Sequence, residues 1–125
     1  MKILVLMLLC HIIDDFVLQP ICLSKLKQRE WWIEECKKKN LDIQPYQHDY
    51  LMALFIHAMS WSIMIHLPLI PLNQISNTLF GLSLLFNTII HMVVDDLKAN
   101  VNLINLWQDQ LIHLIQITLT YFILN

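Results

Sequence analysis

Four apolar stretches take up most of this chain, and each approaches the roughly 20 residues that an α-helix needs to cross a bilayer core. They run over residues 3–18, 50–70, 77–94 and 103–124 of 125. A helix satisfies its own backbone hydrogen bonds, so such segments fold as helices wherever water is excluded. The expected fold is therefore all-α: a four-helix transmembrane bundle forming one integral membrane domain over residues 1–125. Pro20 closes the first stretch, since proline disfavours helix at the residue before it, and Pro68 and Pro71 mark a turn after the second. Composition agrees. Charged residues make up 14% of the chain, against about 25% in ordinary soluble domains.

Lys2 and the apolar run Ile3–Cys10 look like the start of a secretion signal, but no small residues prepare a cleavage site. Leu8 and Leu9 are likewise too bulky for a lipoprotein site at Cys10, so the segment reads as a retained helix. Cys10, Cys22 and Cys36 are odd in number and irregularly spaced, which suits free thiols in a reducing or membrane setting. A single glycine speaks against Gly-rich phosphate loops, and a net charge of −2 gives no reason to expect nucleic acid as a partner.

The one charged region, Ser24 to Asp42, holds Lys25, Lys27, Arg29, Lys37, Lys38 and Lys39 together with Glu30, Glu34, Glu35 and the pair Trp31–Trp32. Basic residues beside paired tryptophans suit an interfacial amphipathic helix between the first and second spans, with a solvated helix–loop as the alternative. By the positive-inside rule, the loop 20–49 faces the cytoplasm and both termini face outward. Cys36 then serves as a cytoplasmic labelling handle. The expected location is a bacterial inner membrane, or that of a phage-infected host. Asn, Ile and Lys usage has the flavour of an AT-rich genome such as a phage's. Membrane lipids are the expected partners, and self-association is open.

Three histidines lie four residues from an aspartate inside these stretches: His11 with Asp15, His91 with Asp95, and Asp109 with His113. Residues four apart share a helix face, and ionisable groups at membrane depth usually mark function. At about 1.5 Å per residue, the three pairs and His57 all fall near the cytoplasmic end of their helices, although the helices alternate in direction. Imidazoles with carboxylates suit a divalent transition metal, zinc foremost, with manganese or iron as alternatives. Seven ligands exceed the four of a structural zinc site, which suggests two ions, or one ion whose ligands are oriented by supporting carboxylates. Asp14 and Asp96 point about 100° away from their neighbours on an α-helix and read as helix-end or supporting groups. His66 and His48 read as hydrogen-bonded structural histidines.

His11, Asp15, Phe16 and Gln19 form H-x-x-x-D-F-x-x-Q, followed by His57, by His91-x-x-x-Asp95-x-x-Lys98 and by Asp109-Gln110-x-x-His113. In this order they resemble the domain of unknown function family 3307, small integral membrane proteins of bacteria and phages. The resemblance covers nearly the whole chain and aligns Lys27 with a basic position eight residues after the glutamine. The chain departs from the family in a long insertion, Arg29 to Gln47, and lacks the acidic-aromatic residues common after Gln19. The family has no established activity, so the resemblance implies the fold and the site but not the reaction. The pattern is also distantly similar in architecture to membrane-bound metal-dependent hydrolases.

The leading expectation is a metal-dependent hydrolase at the cytoplasmic leaflet, acting on a lipid or lipid-linked phosphoester. His11, Asp15, His57, His91, Asp95, Asp109 and His113 would hold metal, and Asp96 or Asp14 would act as general base. Lys98 and Lys27 would attract an anionic headgroup, while Gln19 and Gln110 would orient ligands or substrate. The alternative is a non-enzymatic membrane protein: a metal or proton transporter, a phage-borne modulator of the host envelope, or a bundle holding a plain His–Asp network. A transporter needs its site reachable from both faces, a hydrolase from one.

Overall fold

A computed structural model describes residues 1–72 and 75–125, and among them the chain is helical with no β-strand. The α-helices are α1 (Lys2–Ile12), α2 (Ile21–Leu26), α3 (Arg29–Lys38), α4 (Asp49–His66), α5 (Asn77–Ala99) and α6 (Leu106–Leu124). A π-helical segment, Ile13–Leu18, continues α1, and a 3₁₀ segment, Leu67–Leu72, continues α4. Two helical stretches, Gln44–Pro71 and Asn77–Ala99, are long and apolar enough to cross a membrane. The first and fourth apolar stretches are helical too. The first is short, 11 residues of α-helix and six of π-helix, and the hydropathy of the fourth is lowered by Gln108, Asp109, Gln110 and Gln116.

Local chemistry sets the helix ends. Asn105 caps α6 by accepting from Gln108 N–H at 3.0 Å, while Gln108 Oε1 accepts from Asn105 N–H at 2.9 Å. This reciprocal capping box starts the helix at Leu106 rather than at residue 103. Ser76 Oγ caps α5 by accepting from Leu79 N–H. At its far end α5 runs past the apolar stretch to Ala99, so the polar segment Asp95–Lys98 stays helical. Asn40 ends α3 with φ 52°, and Leu41 N–H bonds back to Cys36 C=O at 2.9 Å. Asparagine is one of the few side chains that tolerates this left-handed cap.

The burial pattern is inverted relative to a water-soluble bundle. Among the described residues, fourteen buried side chains are polar or charged and eleven are apolar. The outward faces of α4, α5 and α6 carry Phe55, Ile63, Leu82, Phe86, Ile115 and Phe122, all exposed. Soluble proteins rarely expose contiguous apolar surface on this scale, whereas a lipid solvent favours it. The apolar interior is one small cluster: Met7, Trp61, Ile65, Leu69, Ile117 and Leu124.

The basic region folds as two short helices rather than one. Trp32 Nε1–H donates to Leu26 C=O at 2.9 Å and ties α3 back onto α2. Cys36 is buried by this packing, whereas Cys22 on α2 is exposed. Cys22 is therefore the better topological probe. A membrane-impermeant maleimide is expected to leave Cys22 unmodified in intact cells and to label it after inner-membrane inversion. Labelling from outside intact cells would reverse the expected orientation.

Candidate metal centre

Four helices and the α2 terminus deliver ionisable side chains to one buried point. The first contribution comes from α1 and its π-helical continuation. A π-turn holds more residues than an α-turn, which changes the angle between successive side chains, and such turns recur at functional sites. Here the turn carries Asp14 into the bundle along with Asp15. Asp14 is 2% exposed, which corrects the expectation that it points away. His57 comes from α4, His91 and Asp95 from α5, and Asp109 and His113 from α6.

The distances define a single cluster. His11 Nδ1 lies 3.4 Å from Asp15 Oδ2, His57 Nε2 lies 3.5 Å from both Asp15 Oδ1 and Asp95 Oδ2, and His91 Nε2 lies 3.8 Å from Asp95 Oδ1. His113 Nε2 sits 3.6 Å from Asp95 Oδ1 and 3.4 Å from Asp109 Oδ1. The His91 and His113 rings stack with centroids 4.0 Å apart. All seven residues expected to hold metal are thus brought together. Within them, two groups place their ligand atoms within 4.8 Å of one another: Asp15, His57 and His91, and His91, Asp95 and His113. These buried His/Asp groupings could hold a metal ion.

Two lysines close the cluster from the side. Lys27 Nζ, on a residue only 7% exposed, donates to Asp95 Oδ2 at 2.7 Å. Lys98 Nζ donates to Asp109 Oδ2 at 2.6 Å. Both were expected to attract an anionic headgroup, and both have an internal carboxylate partner. Asn100 fixes the Lys27 end of α2: its Nδ2–H₂ donates to Lys27 C=O at 3.0 Å and its Oδ1 accepts from Arg29 N–H at 2.7 Å.

Several polar atoms at the centre have no hydrogen bond. They are Asp15 Oδ1, Asp109 Oδ1 and both ring nitrogens of His91 and of His113. Buried polar atoms left unpaired are costly, and these six all lie on the carboxylates and imidazoles of one cluster. That is the donor chemistry of a divalent transition ion. Formal charge points the same way. Asp14, Asp15, Asp95 and Asp109 carry four negative charges against two from Lys27 and Lys98, leaving −2 with neutral histidines. One divalent ion would cancel it.

Other expected residues have different roles. Trp61 Nε1–H donates to His11 Nδ1 at 2.8 Å. An indole nitrogen only donates, so this His11 nitrogen is the accepting one and is not free to ligate an ion. Ser60 Oγ–H donates to Asp14 Oδ1 at 2.8 Å, and Asp14 Oδ2 stands 3.8 Å from His57 Nδ1. Asp96 accepts from Asn100 Nδ2–H₂ at 2.7 Å. His66 bonds Ser62 C=O and Ser83 Oγ, as a structural histidine would. His48 is exposed before α4. Ser60, Trp61 and Asn100 carry no spacing signal in the sequence. Their importance emerges only from the packing.

A cavity of about 60 Å³ opens onto the cluster, lined by Asp15, His57 and Asp95 and by Gln19, Lys27, Lys98 and Gln110. It has room for about two water molecules. The four residues expected to contact substrate thus share one recess beside three of the candidate ligands. The other side of the cluster is mixed: Asn87 and Thr88, one turn from His91, and Gln116, one turn from His113, are buried and polar. Met7, Trp61 and Ile117, each one helical turn from His11, His57 and His113 respectively, are fully buried in the apolar core. No family model matches this chain, and no curated protein or solved structure was found to be similar to it.

Proposed function

We propose that this chain is a four-span membrane protein holding one divalent ion, zinc foremost, and that it hydrolyses a phosphoester of a lipid or lipid-linked molecule at the cytoplasmic leaflet. The observation that carries the reading is the small polar recess, which sets the Lys27 and Lys98 ammonium groups and the Gln19 and Gln110 amides beside Asp15, His57 and Asp95. Groups able to hold a phosphoryl oxygen next to candidate metal ligands suit a hydrolase. The exposed apolar faces of α4, α5 and α6 support burial of the bundle in lipid. The order of its motifs, resembling the 3307 family, supports the same architecture.

His91, His113 and Asp95 Oδ1 form the favoured ligand set, because Asp95 Oδ2 is already taken by Lys27. Asp109 Oδ1 lies beside them without a hydrogen-bond partner. The alternative group shares His91, and one neutral imidazole has a single lone pair for coordination. This argues for one ion per chain rather than two. An ion held there would supply the Lewis-acid chemistry that makes water nucleophilic at neutral pH. Asp15, which faces the recess with Oδ1 unpaired, takes the proton as water oxygen attacks phosphorus. That proton passes from Asp15 Oδ1 to His57 Nε2, 3.5 Å away, and His57 delivers it to the alcohol as the ester P–O bond breaks. Lys27 and Lys98 balance the charge on the phosphoryl oxygens, and Gln19 and Gln110 orient them. Because the recess admits little more than two waters, only the phosphoryl group enters and the rest of the substrate stays in the lipid.

The test is hydrolysis of a panel of lipid phosphoesters by detergent-purified protein carrying its ion. Asp15→Asn is expected to lower turnover by about 10²–10⁴-fold, the range of general base catalysis, with ion content unchanged. Ion-loaded protein that hydrolyses none of the panel would sink the hydrolase reading.

A further inference from the structure

A second recess lies in the charged region, away from the metal cluster. It encloses about 190 Å³ between α3 and the 3₁₀ turn Gln44–Tyr46 and is walled by Trp31, Trp32 and Tyr46, with Glu35, Lys39 and Leu41 at its edges. Trp31 and Trp32 meet edge to face, with centroids 5.1 Å apart. Trp32 and Tyr46 are parallel within 7°, with centroids 6.2 Å apart. Three rings therefore converge on one space beside a carboxylate. Glu35 is bonded by Lys38 at 3.2 Å and approached by Lys39 at 3.6 Å. The Lys38 hydrogen bond, with the Lys39 charge nearby, holds its carboxyl below the usual carboxylate range. The negative charge is thus present at neutral pH.

Aromatic faces attract cations, and weakly hydrated quaternary ammonium groups are the ligands that cages of this kind bind best. The space is that of about six water molecules, enough for a headgroup and too small for a lipid chain. Lys39 lies next to the carboxylate and can turn to a phosphate once a cation has replaced it on Glu35.

We infer that the Trp31–Trp32–Tyr46 recess binds a quaternary ammonium group carrying a neighbouring phosphate, with Glu35 taking the ammonium and Lys39 the phosphate. The site is independent of the metal centre and does not rest on the hydrolase reading. The test uses the full chain in nanodiscs of phosphatidylglycerol, following tryptophan fluorescence with choline chloride or phosphocholine against sodium chloride at matched ionic strength. Saturable binding is expected for both, tighter for phosphocholine. Tyr46→Ala and Glu35→Gln should each weaken choline binding by about fivefold to tenfold, the loss of one cation–π or ionic contact. Lys39→Met should remove the phosphocholine advantage while leaving choline bound. In phosphatidylcholine discs, loss of the choline titration identifies a lipid headgroup as the natural source, and an unchanged titration identifies a soluble one. No saturable response in phosphatidylglycerol discs, or equal binding by the Glu35→Gln and Tyr46→Ala variants, overturns the assignment.

Discussion

Replacing Lys27 by methionine is expected to cost about 3–5 kcal/mol of stability, the usual consequence of leaving one member of a buried ion pair alone. Lys27 and Asp95 are 7% and 3% exposed, and their 2.7 Å contact joins the α2 terminus to α5. Methionine keeps most of the side-chain volume, so the loss reports charge rather than packing. The double variant Lys27→Met with Asp95→Asn should recover much of the loss, because no charge is then stranded. The exposed Lys25→Met serves as control. Thermal midpoints in detergent measure all three. A Lys27 variant no less stable than the Lys25 control would mean that the buried pair does not form.

Stripping divalent ions with a chelator is the second large effect. The cluster would then hold a formal charge of −2 with its central nitrogens and two carboxylate oxygens unbonded. An ion present at about a thousand times its dissociation constant stabilises a folded state by about 4 kcal/mol. Chelation should therefore lower the thermal midpoint, and zinc or manganese should restore it. Elemental analysis should find one ion per chain. His91→Ala should lose that ion and His66→Ala should keep it, since His66 is bonded to Ser62 and Ser83 instead. A melting curve indifferent to chelation would reduce the cluster to a hydrogen-bonded network of histidines, aspartates and lysines.

The three His–Asp pairs were legible because a spacing of four has one meaning on a helix, and the contacts of 3.4, 3.8 and 3.4 Å follow from it. Their convergence was legible from helix direction and depth. Asp14 was not, because a 100° step holds only for α geometry and the Ile13–Leu18 turn is π-helical. The carboxylate partners of the lysines were hidden for a different reason. Composition shows that a charge exists but not where its partner is, and both partners here come from other helices or other turns. The start of α6 was readable from Asn105 and Gln108, whereas hydropathy alone set it three residues early. Trp61 is fully buried in the apolar cluster. That its indole also fixes the ring of His11 depends on a contact fifty residues away.

The placement of fixed charge in the bundle has an electrical consequence. Met7, Trp61, Ile65, Leu69, Ile117 and Leu124 form an apolar cluster beside the ionisable groups. A column of charged groups that ran through a bilayer would offer ions and protons a route down their gradient. Here the buried carboxylates and lysines stop at one level, and the polar side chains buried beyond them, among them Ser62, Asn87, Gln116 and Thr120, are uncharged and bond within the bundle, so in a bilayer the fixed charges would all sit at one depth.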